Sequence, residues 1–169
     1  MRGSINEMHD LVISEDRSDP IRRSEVQLGW ISHVGKVLGG AATIVREVGD
    51  KKRTALVHCS DGWDRTAQLC ALAEICMDPY YRTVEGFQVV CQREWLSFGH
   101  KFEDRLWGHK LKERSPVFLQ FLDCIHQMIA EYPTAFEFNQ SMLLFVVDAM
   151  YSLEFQEFRY NCERLRTEA

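Results

Sequence analysis

Cys59 and Arg65, which are separated by five residues, are the pair in this sequence whose types and spacing could do chemistry together. An apolar run at residues 54–57 precedes the pair and a helical pattern follows it directly, so we predict a buried strand, a loop and a helix N-terminus. The backbone N–H groups of such a loop, together with the helix dipole, form a cradle for a phosphate group. Within the loop, Gly62 permits a positive φ, and the Arg65 guanidinium can bind two phosphate oxygens at once.

The sulfur of Cys59 is the predicted nucleophile of this cradle. Loop amides, the helix dipole and Arg65 all favour a thiolate, so we expect a lowered pKa for Cys59. A thiolate can attack phosphorus to form a phosphocysteine intermediate, and the Thr66 hydroxyl could donate to the sulfur. A Cys-x5-Arg spacing alone is common by chance. The apolar run before it, the glycine within it and the threonine that opens a helix favour a phosphate site over a structural pair.

The segments around the loop predict a helix-dominated domain. Ser24 and Gln27 form a capping box for a long helix that ends at Gly49, and residues 1–23, which contain a proline, are predicted to be a polar arm. The other predicted helices lie at residues 67–76, 84–95, 117–130 and 134–151, the last opened by a capping box of Thr134 and Glu137. A basic, glycine-containing segment at residues 99–114 is predicted to be a loop region.

The composition is typical of a globular protein, with 46% hydrophobic and 27% charged residues, and it excludes a disordered or collagenous chain. The net charge of -5 argues against a nucleic-acid partner. This charge is unevenly placed, because residues 115–158 hold six acidic residues and no Lys or Arg. The other 125 residues hold 20 basic and 19 acidic groups, so an anionic substrate should bind there.

No apolar run approaches the roughly 18 residues of a membrane span, and the first residues do not form a signal-peptide pattern. The six cysteines show no CxxC pair and no Cys/His metal spacing, so we expect neither a metal nor a cofactor. Their use suits a reducing cytoplasm.

The string from His58 to Thr66, continued by Ala67-Gln68-Leu69, resembles the active-site signature of the myotubularin phosphoinositide phosphatases. The resemblance continues in ordered blocks at residues 78–83, 86–87, 94–102, 114–118, 120–121 and 136–139. It implies an α/β, cysteine-dependent phosphatase fold of the protein tyrosine phosphatase type, with the active-site loop between a strand and a helix. It also implies that residues 24–166 form a partial phosphatase domain, the C-terminal half of the catalytic domain, followed by a tail at residues 167–169.

Two segments depart from the family pattern. Residues 154–158 differ from the usual Phe-Gly-Thr-Phe sequence, and the loop at residues 106–112 is short and irregular for the family. The catalytic loop itself shows no such departure. The substrates implied by the resemblance are phosphatidylinositol 3-phosphate and phosphatidylinositol 3,5-bisphosphate, cleaved at the 3-position.

By this resemblance Cys59 is the nucleophile and Arg65 the phosphate clamp. The general acid is expected to be an aspartate within the loop, with Asp64 the first choice and Asp61 the second, because a carboxylic acid beside Cys59 can reach the leaving oxygen. A purely structural role for Asp61, in ordering the loop, is the alternative. The residues expected to bind substrate are Ser60, Asp61, Gly62, Trp63, Thr66, Lys101 and Arg105.

Lys101 and Arg105 are four residues apart, so they share a helix face if the segment is helical, and by resemblance they contact a second inositol phosphate. The alternative is a solvated basic face. His58 is expected to order the loop from behind the cysteine. His100 is expected to be structural, with headgroup binding as its alternative.

The implied partners are a phosphoinositide headgroup, the surface of an endosomal-type membrane reached from the cytoplasm, and other myotubularins in homo- or heterodimers. Two other functions stay open. The chain could be a catalytically silent binding or scaffold module, although it keeps the cysteine and arginine that silent relatives typically lose. It could also be a protein tyrosine phosphatase, but the acidic loop interior and the basic pair favour a multiply anionic lipid headgroup.

Overall fold

The computed structural model describes residues 20–168, and within them the regular structure is helical. The α-helices, in chain order, are α1 (Pro20–Val45), α2 (Arg65–Met77), α3 (Val84–Cys91), α4 (Phe102–Leu106), α5 (Val117–Glu131), α6 (Gln140–Ser152), α7 (Gln156–Arg159) and α8 (Glu163–Thr167). Two π-helical turns, Arg46–Asp50 and Gln92–Ser97, prolong α1 and α3, and 3-10 turns lie at Pro79–Arg82, Leu111–Glu113 and Pro133–Ala135. Most of the predicted arm, residues 1–19, and residue 169 of the predicted tail lie outside the described residues.

The first helix begins earlier than predicted. Residues 20–23 belong to α1, so the prediction that the arm extends to residue 23 was wrong at its last four positions. Proline is accepted at the first turn of a helix because its N–H would be unpaired there in any case. Pro20 therefore starts the helix rather than breaking the chain.

One face of α1 packs on the rest of the domain. Trp30, Val34, Val37 and Ala41 are buried and recur at helical spacing, which places them on a single stripe. This stripe lies against α2 and α5, which also contact each other. The three helices form the core that supports the Cys59 loop.

The segment Gln27–Asp50 is long and apolar enough, by length and composition, to cross a membrane, contrary to the expectation from its sequence. A single helix of this kind is weak evidence for a span, since core helices pass the same test. Its buried stripe, anchored by Trp30, packs in the protein core. We therefore describe α1 as a helix that buries one face in the core and leaves most of its surface exposed.

A cluster of aromatic rings lies beneath the loop. Trp95, at the end of α3, is fully buried and packs edge-on against Phe118 of α5, with ring centroids 4.8 Å apart. Phe102 of α4 packs against the same Phe118 ring at 5.1 Å. The cluster joins three helices into one rigid support for the residues that follow Trp95.

The predicted strand at residues 54–57 does not form. No strand is present in residues 20–168; residues 54–57 have no regular structure, and the Leu56 side chain is 88% exposed. A strand must exchange backbone hydrogen bonds with a neighbour, and the described part of the chain offers none. The prediction of a buried strand was wrong for these residues. The loop and the helix of the expected α/β architecture are observed, and its sheet stays a prediction.

The start of α6 also differs from the prediction. The side chain that caps it is Asn139, whose Oδ1 accepts from the Ser141 N–H. Glu137 instead accepts from the backbone N–H of Val84 at 2.8 Å and so ties the start of α3 to this region. The predicted capping box was wrong because Thr134 lies in a separate 3-10 turn.

Candidate active site

The loop from Cys59 to the start of α2 closes around the cysteine sulfur. Gly62 adopts a φ of +92°, a conformation that residues with a side chain rarely accept. This turn directs the Gly62 N–H to Cys59 Sγ at 3.2 Å. The loop then enters α2 at Arg65, so the sulfur lies near the N-terminus of a 13-residue helix.

Cys59 has the surroundings of a reactive thiol. Partial burial acts to raise its pKa, but hydrogen bonds from the Thr66 side chain and from the N–H groups of Gly62, Asp61 and Thr66 outweigh it and lower the pKa to about 7. The Thr66 hydroxyl is buried and has no geometrically ideal hydrogen-bond partner among the described residues, so no other acceptor competes with the sulfur for its proton. A substantial fraction of Cys59 is therefore thiolate at neutral pH.

Four other cysteines have the opposite environment, because burial raises the pKa values of Cys70, Cys76, Cys91 and Cys124. Burial, with the charges of Glu94 and Glu74, raises the pKa of Cys70 to about 11. Burial also raises the pKa of Cys124, to about 12. Cys59 is thus distinguished by its environment as well as by its position.

Polar groups connect across the mouth of the loop. Arg65 is exposed, and its Nη2 donates to the Ser60 hydroxyl at 3.2 Å. That hydroxyl donates in turn to Asp61 Oδ2 at 3.0 Å. The guanidinium predicted to clamp a phosphate is therefore accessible to solvent, and within residues 20–168 the hydrogen bond that holds it goes to a neutral hydroxyl, which a phosphate oxygen could replace.

Asp64 is held by two donors from a different part of the chain. His100 Nδ1 lies 2.9 Å from its Oδ1, and Arg105 Nη2 lies 2.8 Å from its Oδ2. Burial acts to raise the pKa of Asp64, but the hydrogen bonds from His100 and Arg105 lower it to about 2. In this arrangement Asp64 is ionised at neutral pH, which is the wrong protonation state for a general acid.

The geometry therefore shifts the choice of acid toward Asp61, the second choice from the sequence. Asp61 is exposed at the opening of the loop, and within the described residues its carboxylate accepts a hydrogen bond from the Ser60 hydroxyl. Asp64 could donate a proton only after losing its contacts with His100 and Arg105. Which aspartate acts as the acid stays a prediction.

Arg105 and Lys101 differ in availability. Arg105 is buried, and besides Asp64 it donates to the carbonyl oxygen of Glu113 at 2.7 Å. Lys101 is the N-cap of α4 rather than part of the helix, and its Nζ lies 4.4 Å from the centre of the Trp63 ring. The placement suits Lys101 for anion contact and Arg105 for holding Asp64, while their roles toward substrate stay predictions.

The structure also shows a contact that sequence reasoning missed. His100 was expected to be structural, and its bond to Asp64 was not foreseen because 36 residues separate the two in the chain. The block from Glu94 to Phe102 was the only sequence signal that this segment accompanies the loop. His58, expected behind the cysteine, is exposed.

Taken together, the loop offers a thiolate nucleophile, open helix N–H groups and an accessible guanidinium, which suit attack on a phosphate ester. No group of His, Cys, Asp or Glu side chains in the described residues could hold a metal ion.

Comparison with known proteins gives the family. A myotubularin-like phosphatase domain matches residues 1–167. The chain is 47% identical to myotubularin of Xenopus tropicalis and 44% identical to that of Rattus norvegicus, in both cases over 98% of this chain and 28% of the relative. It is 49% identical to the phosphatidylinositol-3,5-bisphosphate 3-phosphatase mtm-1 of Caenorhabditis elegans, over 81% of this chain and 24% of the relative. The chain thus spans about a quarter of the length of these relatives, and it belongs to the family of myotubularin-like phosphatase domains.

Proposed function

We propose that this chain contributes the catalytic loop of a phosphoinositide 3-phosphatase that acts on phosphatidylinositol 3-phosphate and phosphatidylinositol 3,5-bisphosphate. The observation that carries the proposal is Cys59, whose pKa is lowered to about 7 by a loop that opens onto a helix N-terminus. The similarity to the Caenorhabditis elegans phosphatidylinositol-3,5-bisphosphate 3-phosphatase supports the bisphosphate as a substrate.

In the proposed reaction the Cys59 thiolate attacks the phosphorus of the 3-phosphate. A sulfur–phosphorus bond forms while the bond from phosphorus to the inositol oxygen breaks, and a loop aspartate protonates the departing oxygen. Water then attacks the phosphocysteine, which releases inorganic phosphate and regenerates the thiolate. Arg65 and the open N–H groups bind the phosphoryl oxygens in both steps.

The test is phosphate release from short-chain phosphatidylinositol 3-phosphate by the 169-residue chain, compared with Cys59→Ser. Cys70→Ser is the matched control, since it removes a thiol whose pKa is raised. We expect the control to retain activity and Cys59→Ser to lose it. Release by the wild-type chain no faster than by Cys59→Ser would reject the proposal.

We further propose that the chain works at the surface of an anionic, endosomal-type membrane on its cytoplasmic side. Lys110 and Lys112 are exposed and flank Leu111, which is 68% exposed. This turn is joined to the loop through Glu113, Arg105 and Asp64. An exposed leucine between two lysines is suited to the interface of an anionic bilayer.

Vesicle sedimentation tests this placement. Lys110→Glu should weaken binding to vesicles that contain phosphatidylserine, whereas Lys36→Glu, which reverses an exposed charge on α1, should have a smaller effect. Equal effects of the two variants would contradict it.

A binding or scaffold module is the second candidate. The observation that favours it is the segment at residues 54–57, which is largely exposed, has no regular structure and has the apolar sequence of a strand, so that a strand of another polypeptide could pair with it. This candidate predicts vanadate binding or partner capture without turnover, so the phosphate-release assay separates the two functions.

A further inference from the structure

His100 lies deep in the protein although it contacts the loop. Its side chain is 1% exposed. The ring packs edge-on between Trp95, at 4.9 Å, and Phe102, at 4.7 Å. A ring held on both sides in a close-packed core has little freedom, so any group that it binds is fixed relative to that core.

One nitrogen of this ring meets two loop acceptors. His100 Nδ1 lies 2.9 Å from the carbonyl oxygen of Trp63 and 2.9 Å from Oδ1 of Asp64. A carbonyl oxygen and an ionised carboxylate can only accept, so Nδ1 carries the hydrogen and donates to both. His100 therefore connects the core to two adjacent loop residues, Trp63 and Asp64.

The first consequence concerns the helix N-terminus. Asp64 occupies the N-cap position of α2, where an aspartate side chain normally accepts from the N–H groups of the first turn. Here the carboxylate makes no such bond, because it is drawn to His100 and Arg105. The Thr66 N–H of this turn faces Cys59, and the other first-turn N–H groups of α2 are left without the Asp64 cap and can bind an external anion.

The second consequence concerns the peptide that joins Trp63 to Asp64. It is trans, so its C=O and N–H point in opposite directions. Since the carbonyl oxygen points to the buried His100, the Asp64 N–H points away from the core. Within the described residues no backbone carbonyl accepts from this N–H.

We propose that His100 is a positioning residue, which keeps the phosphate cradle open by drawing Asp64 away from the N-terminus of α2 and by orienting the Trp63–Asp64 peptide. Without this donor, Arg105 alone among the described residues holds the Asp64 carboxylate, at one side, and the carboxylate can turn to cap its own helix and occupy the place of the phosphate. The inference rests on the proposed function in so far as the anion is a substrate phosphate.

Two substitutions separate positioning from packing. His100→Asn keeps an amide nitrogen at the distance of Nδ1 from the backbone, whereas His100→Gln moves it to the distance of Nε2. Both remove the ring, and Asn leaves the larger void between Trp95 and Phe102. Packing alone therefore predicts that Asn is the more damaging change, and positioning predicts the reverse.

The primary readout is alkylation of Cys59 by iodoacetamide at pH 7, which needs no substrate, with far-UV circular dichroism to confirm folding. We expect His100→Asn to stay within about threefold of the wild-type rate and His100→Gln to react about tenfold more slowly, because the loop N–H groups no longer stabilise the thiolate. Vanadate affinity, measured by thermal shift, should likewise be closer to the wild-type value in His100→Asn than in His100→Gln.

A rate for His100→Gln equal to or above that of His100→Asn overturns the inference. The proposed function fails separately: if the wild-type chain binds no vanadate and releases no phosphate, the loop is not a phosphate site. The alkylation order of the two variants still decides whether His100 positions the loop.

Discussion

At the scale of single residues, the two groups of the loop with lowered pKa values have different surroundings. Cys59 is stabilised as a thiolate mainly by local donors of its own loop, and Asp64 as a carboxylate by donors from a distant segment. The first arrangement leaves a nucleophile exposed to substrate. The donors around Asp64 draw its negative charge out of the cradle and hold it against the core.

The Thr66 hydroxyl gives the first prediction. It is the strongest group lowering the pKa of Cys59, so Thr66→Val should raise that pKa toward its usual value, while Thr66→Ser keeps the hydroxyl. A hydrogen bond to a charged group is worth roughly 1.5–3 kcal/mol, so alkylation of Cys59 at pH 7 should slow by about tenfold in Thr66→Val. The rate measured from pH 5 to pH 9 checks this; similar curves for both variants would contradict it.

The two loop aspartates give the second prediction. Asp64 is ionised and held by His100 and Arg105, whereas Asp61 lies at the opening of the loop, so Asp61 should be the proton donor. Asp61→Asn should lower kcat by about 100-fold or more for a lipid phosphate, and much less for an aryl phosphate whose leaving oxygen needs no proton. Asp64→Asn should lower activity toward both substrates alike. If instead Asp64→Asn spared the aryl phosphate alone, the carboxylate of Asp64 must change its contacts when substrate binds.

At the scale of elements, the pattern of apolar residues predicted the helices well because each buries its own stripe. The helix after the loop was predicted at residues 67–76 and is found at Arg65–Met77, and α5 lies within a residue of its prediction. Residues 54–57 have the composition of a buried strand, but a strand depends on neighbours that the pattern does not supply. The bond between His100 and Asp64 was likewise beyond the sequence, because no periodicity relates residues 36 positions apart.

The exposed segment gives the third prediction. Leu56 is 88% exposed, so Leu56→Ser should change the free energy of unfolding of this chain by less than about 0.5 kcal/mol. Leu72 of α2 is fully buried in the core, and Leu72→Ala should cost about 2–5 kcal/mol. Urea unfolding of both variants measures this. A loss for Leu56→Ser as large as that for Leu72→Ala would show that residues 54–57 are buried, as the sequence first suggested.

At the scale of the whole molecule, the placement of charge follows the predicted division. The six acidic residues of 115–158 lie on and around α5, α6 and α7, away in sequence from the loop. Residues 51–114 carry 11 basic and 9 acidic groups and include both Arg65 and Lys101. An acidic protein can therefore present cations where an anion binds, because its surplus carboxylates belong to other helices.

The global stability of the chain should depend on pH through Asp64, which gives the fourth prediction. Its pKa is lower in the folded chain than in the unfolded one, so its ion pair stabilises the fold above the unfolded pKa, and this contribution is lost as the pH falls through about 2. With a usual aspartate value near 3.9, about 1 kcal/mol of unfolding free energy should disappear between pH 5 and pH 3. Asp64→Asn should remove this part of the slope, whereas Asp148→Asn, at an exposed position of α6, should leave it unchanged. Urea unfolding at pH 5, 4 and 3 measures the three slopes, and an unaltered slope in Asp64→Asn would mean that His100 and Arg105 do not hold this carboxylate in solution.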